Sequence, residues 1–352
     1  MKLELRRVTA LTPGAQDARR SWPERQSLLV RLSDARGNSG IGEASPLPGY
    51  SPDDLGAVET ALLRIKTADI EGAIRLPTPR AVLQAVAALA APGLPSARMA
   101  LETAALDFCS RERMVSAPVW LGAAASAERP LSELVGPASS AELLPQSESA
   151  VAKGFRHLKL KLGAAGKLES ELSGVARVRE HLGANVHLRL DANGCLTASE
   201  LEIAWEILAP LDIELFEEPG VVPESLRGLL PLALDESLQR LNADSAIALL
   251  ERSAARFAVL KPMALGGLSH AFELAERAQT AGLGVVLSHC FDGLPAWRAL
   301  AALALALPLG SAHGLAPHAG LPDFSAVFPV QRGSLVGWTE PGLGLDPERY
   351  FA

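Results

Sequence analysis

Six ionisable residues in the middle of the chain could do chemistry together. Lys159, Lys161, Asp191, Glu217, Asp235 and Lys261 each end, or directly follow, a short apolar run. From Lys161 onward the gaps are 30, 26, 18 and 26 residues, each room for one strand, one helix and a return. In a barrel of parallel strands, residues at the C-terminal strand ends converge on one mouth. Three carboxylates meeting there repel unless a cation joins them. An all-oxygen donor set without Cys or His suits a hard ion that keeps positions open for water and substrate, which is magnesium rather than zinc. Lys159 and Lys161 alternate with Leu158, Leu160 and Leu162, so both lysines occupy one strand face. An ordinary lysine, pKa ~10.4, is uncharged in about one molecule in 2,500 at pH 7. A neighbouring ammonium, a metal and desolvation are expected to lower that value, and at ~8 about a tenth would be free to act as a general base.

The elements that must position these residues are legible from periodicity. Strands are expected at 157–161, 186–190, 213–216, 232–234, 257–260 and 284–287, with helices at 172–182, 198–208, 243–254 and 268–281 between them. That alternation predicts a (β/α) barrel over residues 99–316, with Ser311-Ala-His-Gly314 ending an eighth strand. Residues 1–98 read as an α+β capping unit. It holds a hairpin, 27–32 and 39–43, around the turn cluster Asp34-Ala-Arg-Gly-Asn38, then proline-started helices at 52–66 and 79–91. The proline-stiffened stretch Ser45-Pro-Leu-Pro-Gly-Tyr50 joins hairpin to helix. Residues 317–352 lose the alternation and are expected to return to the capping unit.

Composition limits the function classes. With 48% hydrophobic and 21% charged residues the chain reads as a soluble globular protein. The net charge of −7 argues against nucleic acid as a partner, since phosphate binding needs a basic face. The longest apolar run, Ala299–Leu307, is stopped by Pro308 at about half of the ~20 residues a membrane span needs. The opening Met1-Lys-Leu-Glu-Leu-Arg-Arg7 lacks the apolar core of a signal peptide, and Cys109, Cys195 and Cys290 show no paired spacing. The expectation is a cytoplasmic protein without nucleic-acid or membrane partners.

Lys159-Leu-Lys161, Asp191-Ala-Asn193, Phe216-Glu-Glu-Pro219, Leu234-Asp-Glu-Ser237 and Leu260-Lys-Pro262, in this order, resemble the enolase superfamily, muconate-lactonizing branch. The resemblance covers nearly the whole chain and includes Pro341-Gly-Leu-Gly-Leu345. It implies Asp191, Glu217 and Asp235 as Mg2+ ligands, Lys161 as base, Lys159 as its neighbour and Lys261 on the opposite face of the substrate. Glu218 and Glu236 adjoin the ligands, and Asn193 supports them from behind.

The loop Gly42–Tyr50 is similar to the capping loop of o-succinylbenzoate synthases, making Tyr50 a substrate candidate. The reaction implied is syn-dehydration of a succinyl-hydroxycyclohexadiene carboxylate on the way to menaquinone. The same lysines also suit N-acylamino acid racemisation. Ser288 and His289 end the seventh strand, where this branch often contacts substrate, although a histidine there is commonly a packing residue. The eighth strand lacks the Asp-x-Asp of dipeptide epimerases, and His289 and Asp292 are the only hint of the His-Asp pair of sugar-acid dehydratases. Arg25 could reach a succinyl carboxylate but is read as a solvated surface group.

Overall fold

The computed structural model describes residues 1–16, 20–322 and 328–351. Three strands open the chain: β1 (Lys2–Leu11), β2 (Glu24–Ser33) and β3 (Ser39–Ala44), in an antiparallel sheet of that order. The β2–β3 turn forms where expected, with Asp34 Oδ1 accepting from the backbone N–H of Arg36 and of Asn38, both at 2.9 Å. Sequence reading missed β1, because its charged residues sit on an exposed edge. Helices Leu55–Leu63 and Pro79–Ala87 start at Asp54 and Thr78, whose side chains accept from the N–H of Ala57 and Ala81. Helix Pro95–Glu112 runs across the expected 98/99 boundary and packs on β3, its neighbour through Gly40 and Gly42.

After β4 (Glu128–Pro130) comes the parallel sheet: β5 (Ser132–Pro137), β6 (His157–Lys161), β7 (His187–Asp191), β8 (Ile213–Glu217), β9 (Leu232–Leu234), β10 (Phe257–Leu260) and β11 (Gly284–Leu287), side by side in chain order. Residues 313–314 close the ring. The Ser132 N–H donates to His313 O at 2.8 Å and the Gly314 N–H to Leu287 O at 2.8 Å, bridging the first strand to the last. The expected (β/α) barrel with an N-terminal capping domain is therefore the architecture found. Leu158, Leu160, Leu188 and Leu190 face outward into the helix layer and are fully buried, while Leu215, Ala233, Val259 and Val286 fill the interior.

The tail, with β12 (Val330–Gln331) and β13 (Ser334–Val336), pairs with β4 and ends on the cap. There Arg6 donates to Tyr350 O at 2.7 Å and Arg31 pairs with Glu348 at 2.7 Å. Among the described residues no helix is long and apolar enough to cross a membrane. The apolar run lies instead in the buried helix Leu294–Ala306 and its C-cap residue Leu307.

Candidate active site

Strand register assembles the site. Lys161, Asp191 and Glu217 are the last residues of β6, β7 and β8 and lie in one row across the sheet, Lys161 opposite Asp191 and Asp191 opposite Glu217. Asp235, Lys261 and Ser288 directly follow β9, β10 and β11, so all six positions ring the same mouth. Their side chains form one bonded network. Lys161 Nζ donates to Asp191 Oδ2 at 2.6 Å and to Asn193 Oδ1 at 2.9 Å. Lys159 Nζ bridges Asp191 Oδ2 at 2.8 Å and Glu217 Oε2 at 2.6 Å. Lys261 Nζ pairs with Asp235 Oδ2 and donates to the Tyr50 hydroxyl at 2.9 Å, 4.8 Å from that ring's centre. Tyr50 in turn donates to Asp235 at 3.2 Å, so the cap reaches the barrel mouth through its loop. Asn193 Nδ2 donates to Glu236 Oε1 at 3.0 Å, which ties the β7 end to the β9 end.

Neighbouring charges set the ionisation of this cluster. Burial alone would lower the Lys159 ammonium's pKa, but Asp191 and Glu217 outweigh it and hold the value above the usual lysine range. Lys261 is likewise raised: Asp235, with smaller contributions from Tyr50, Glu236 and Glu217, overrides burial. At these two lysines the nearest neighbours are anions, which is why both values lie above the usual range. Burial would raise Asp191, yet Lys159 and Lys161 together drive it well below the normal carboxylate range. Asp235 is pushed up by burial, against the pull of Lys261 and with the like charges of Glu236 and Glu217 adding.

Two oxygens in this cluster, Glu217 Oε1 and Glu236 Oε2, are buried with no hydrogen-bond partner. Unpartnered buried carboxylate oxygens beside two further acids are what a hard divalent cation would satisfy. The donor set therefore fits magnesium.

Beside the network lies a cavity of roughly 80 Å³, lined by the three lysines, Tyr50, Asn193, Ser288 and His289, and also by Gln16, Trp22, Phe291 and His318. All the sequence candidates thus meet at one place. His289 faces the cavity and does not pair with Asp292: its Nδ1 accepts from the Phe291 N–H at 3.0 Å, while Asp292 Oδ1 accepts from Ser45 Oγ at 3.4 Å. Arg25 is a correction. It is 2% exposed, neither solvated nor aimed at the cavity. Its guanidinium donates to the backbone oxygens of Ser45, Pro46 (3.0 Å), Cys290 (3.2 Å) and Phe291 (3.4 Å). It bolts the cap loop to the segment after β11.

Sequence reasoning missed Trp22 and His318, which stand in irregular segments with no period to mark them. Glu236 was legible as the neighbour of Asp235, but its contact with Asn193 was not. A second set of side chains near enough to share an ion lies at the opposite mouth, where His157 and His187 begin β6 and β7 and Glu214 is the second residue of β8. Glu214 there is already engaged by Arg189, at 2.7 and 2.8 Å, and by His157 at 2.8 Å.

Comparison with known proteins agrees with this geometry. The o-succinylbenzoate synthase of Desulfotalea psychrophila is 28% identical over 85% of this chain and 88% of its own. The L-Lys-D/L-Arg epimerase of Methylococcus capsulatus is 30% identical over 80% of this chain and 79% of its own. The structure of a dipeptide epimerase from Methylococcus capsulatus, complexed with Mg and the dipeptide L-Arg-D-Lys, superposes with a TM-score of 0.81 at 28% identity. It covers 97% of this chain and 98% of the epimerase. Residues 142–351 match the model of the enolase C-terminal domain-like family, and by that match, its barrel and its row of strand-end acids and lysines the chain belongs to the enolase superfamily.

Proposed function

We propose that this chain is a magnesium-dependent o-succinylbenzoate synthase, which removes water from 2-succinyl-6-hydroxy-2,4-cyclohexadiene-1-carboxylate with Lys161 as the base. The observation that carries the proposal is the network itself: three lysines and three strand-end carboxylates on one mouth, with Glu217 Oε1 and Glu236 Oε2 unpartnered. Asp191, Glu217 and Asp235 would hold the ion. When bound, magnesium would neutralise the substrate carboxylate and make the neighbouring C–H more acidic.

Acids engaged by an ion would no longer pair with Lys159 and Lys161, and Lys161 would take the α-proton. Electrons from that C–H bond move toward the carboxylate, and then expel hydroxide from the adjacent carbon. Lys161 returns its proton to the departing oxygen, so that water leaves. Lys261, across the mouth just after β10, offers a positive charge to the transient anion. Asn193 keeps Lys161 in place at 2.9 Å. The cap loop similar to that of the synthases, with Tyr50 delivered to Asp235 and Lys261, and the Desulfotalea relative support the dehydratase reading.

One observation favours a second reading. Lys161 and Lys261 approach the cavity from β6 and β10, on opposite sides of Asp191, Glu217 and Asp235, which is what a two-base racemase of N-succinylamino acids requires. Both activities separate in one experiment, with the cyclohexadiene acid and N-succinylamino acids offered side by side with and without Mg2+. Absorbance change reports dehydration, and α-proton exchange in heavy water reports racemisation. Lys161→Ala should lower either activity by at least about a thousandfold while circular dichroism stays unchanged. Substantial turnover by that variant would show that the base is elsewhere.

A further inference from the structure

Two histidines complete the cavity on the side away from the acids. His289 follows Ser288 at the end of β11, and His318 lies beyond the closing segment 313–314. Their rings stack with centroids 5.2 Å apart and planes 27° apart. Phe291 packs edge-on against both, at 6.0 and 5.7 Å, and Trp22 packs against Phe291 at 5.9 Å. The pair is thus held by an aromatic brace rather than left to choose its rotamers.

The protonation of each ring follows from geometry. His289 Nδ1 accepts from the Phe291 N–H at 3.0 Å, and His318 Nδ1 accepts from the Gly320 N–H at 3.0 Å. A nitrogen that accepts carries no proton, so the neutral ring must carry it on Nε2. Both rings are half-buried beside lysines, and both are shifted toward the uncharged form: loss of solvent is the main cause in each, with Lys261 and Lys159 acting on His289 and Lys161 on His318. Neither Nε2–H has a partner among the described residues. The cavity lining, again among the described residues, contains no Asp or Glu to receive an ammonium group.

We propose that His289 and His318 form a paired, uncharged donor that grips the far acceptor group of the substrate, a carboxylate or carbonyl at the end of an acyl tail. This rests on the reading of Lys161 and its neighbours as the reacting centre. It names the tail class that the rest of the cavity selects: acyl chains ending in oxygen acceptors, and not dipeptides with a free ammonium. The two histidines are specificity residues and take no part in moving the α-proton.

The test uses the full-length protein with Mg2+ and three ligand types: o-succinylbenzoate and N-succinylamino acids, N-butyrylamino acids of equal length without the terminal carboxylate, and free dipeptides. Calorimetric titration measures affinity, and α-proton exchange measures KM and kcat where exchange occurs. The wild type should bind the succinyl compounds at least tenfold more tightly than the butyryl ones, and the dipeptides more weakly still.

His289→Phe and His318→Phe keep the ring stack and lose the donor. Each should weaken succinyl binding about ten- to a hundredfold and leave butyryl binding and kcat within a few-fold. His289→Gln and His318→Gln, which retain a donor, should recover part of the loss and guard against a misfolded phenylalanine variant. Equal effects on succinyl and butyryl ligands, or no preference in the wild type, would overturn the proposal. Tight, histidine-dependent succinyl binding without turnover of any ligand would instead leave the tail grip standing and reject the catalytic reading.

Discussion

At the scale of single residues, Glu218 shows how a side chain beside the candidate ligands earns its place. Its backbone sits at φ 39°, in the left-handed region. That conformation turns the carboxylate back along β9. Oε1 accepts from the N–H of Asp235 at 2.8 Å and of Ser237 at 2.9 Å, and Oε2 from Ser237 Oγ at 2.9 Å. Glu218 therefore fixes the direction in which Asp235 points without facing the cavity. Glu218→Ala should raise the Mg2+ concentration for half-maximal activity about ten- to a hundredfold and change kcat at saturating metal only a few-fold. A metal titration superimposable on the wild type would show that Asp235 needs no such support.

Much of this site was legible because strand ends are local. A charged residue after an apolar run is visible in the sequence, and register does the rest, as in the row Lys161–Asp191–Glu217. His318 and Trp22 were not legible, since only the folded path of irregular chain brings them to the cavity. Spacing likewise shows that Lys159 lies near acids, but not that it bridges two of them.

Among the elements, helix Pro95–Glu112 was the least visible and is the most enclosed. Most of its residues are buried, on every side, so the polar face that marks an amphipathic helix is missing. It lies on β3 where Gly40 and Gly42 share one strand face. A Cβ at Gly42 would stand 2.1 Å from Ala100 O and 2.7 Å from Ala104 N, and one at Gly40 would stand 2.4 Å from Phe108 N. The contact is backbone against backbone, and no side-chain rotation can relieve it. Gly42→Val should cost about 1–3 kcal/mol or more in urea unfolding, because helix and strand must separate. Gly37, at φ 88° in the hairpin turn with nothing within 4 Å of where a methyl group would stand, provides the comparison. Gly37→Ala should cost only about 1 kcal/mol, from backbone strain. Equal losses at both positions would mean that the close packing of β3 is unimportant. The barrel helices, by contrast, were legible as stripes over an alternating sheet, and Ala198–Leu208 forms over the expected residues with Thr197 and Glu200 in a capping box.

For the whole molecule, cap and barrel are joined by buried polar groups as well as by apolar packing. Arg25 from β2 holds backbone oxygens of both the cap loop and the segment after β11. Glu43 from β3 accepts from the Gly293 and Ala296 N–H groups, at 3.2 and 3.4 Å, and so caps a barrel helix from across the junction. Asp292, facing Ser45, Glu43 and Arg25, brings a second carboxyl to one guanidinium, and its Oδ2 has no partner. Burial, then the charge on Glu43, pushes Asp292 up to about 7 against the pull of Arg25.

The consequence for stability has a definite sign. The unfolded carboxyl ionises near its ordinary value of about 3.9, so below about pH 4 both states are protonated and the junction is at its strongest. Between about pH 4 and 7 the unfolded chain releases this proton first, and stability falls by about 1.4 kcal/mol per pH unit, about 4 kcal/mol at most. Buried neutral histidines such as His313, lowered to about 3, act in the opposite direction over an overlapping range. The informative quantity is therefore the difference between two proteins. Urea unfolding of the wild type and of Asp292→Asn across pH 4–8 should give curves that diverge as pH rises, the variant gaining relative stability up to about pH 7 and none beyond. Because the group lies at the junction, hydrogen exchange in the loop 45–50 should slow in the variant at neutral pH while exchange in β6 to β8 stays the same. A constant difference between the two curves at all pH values would show that Asp292 is ionised in the fold throughout, balanced by Arg25 alone.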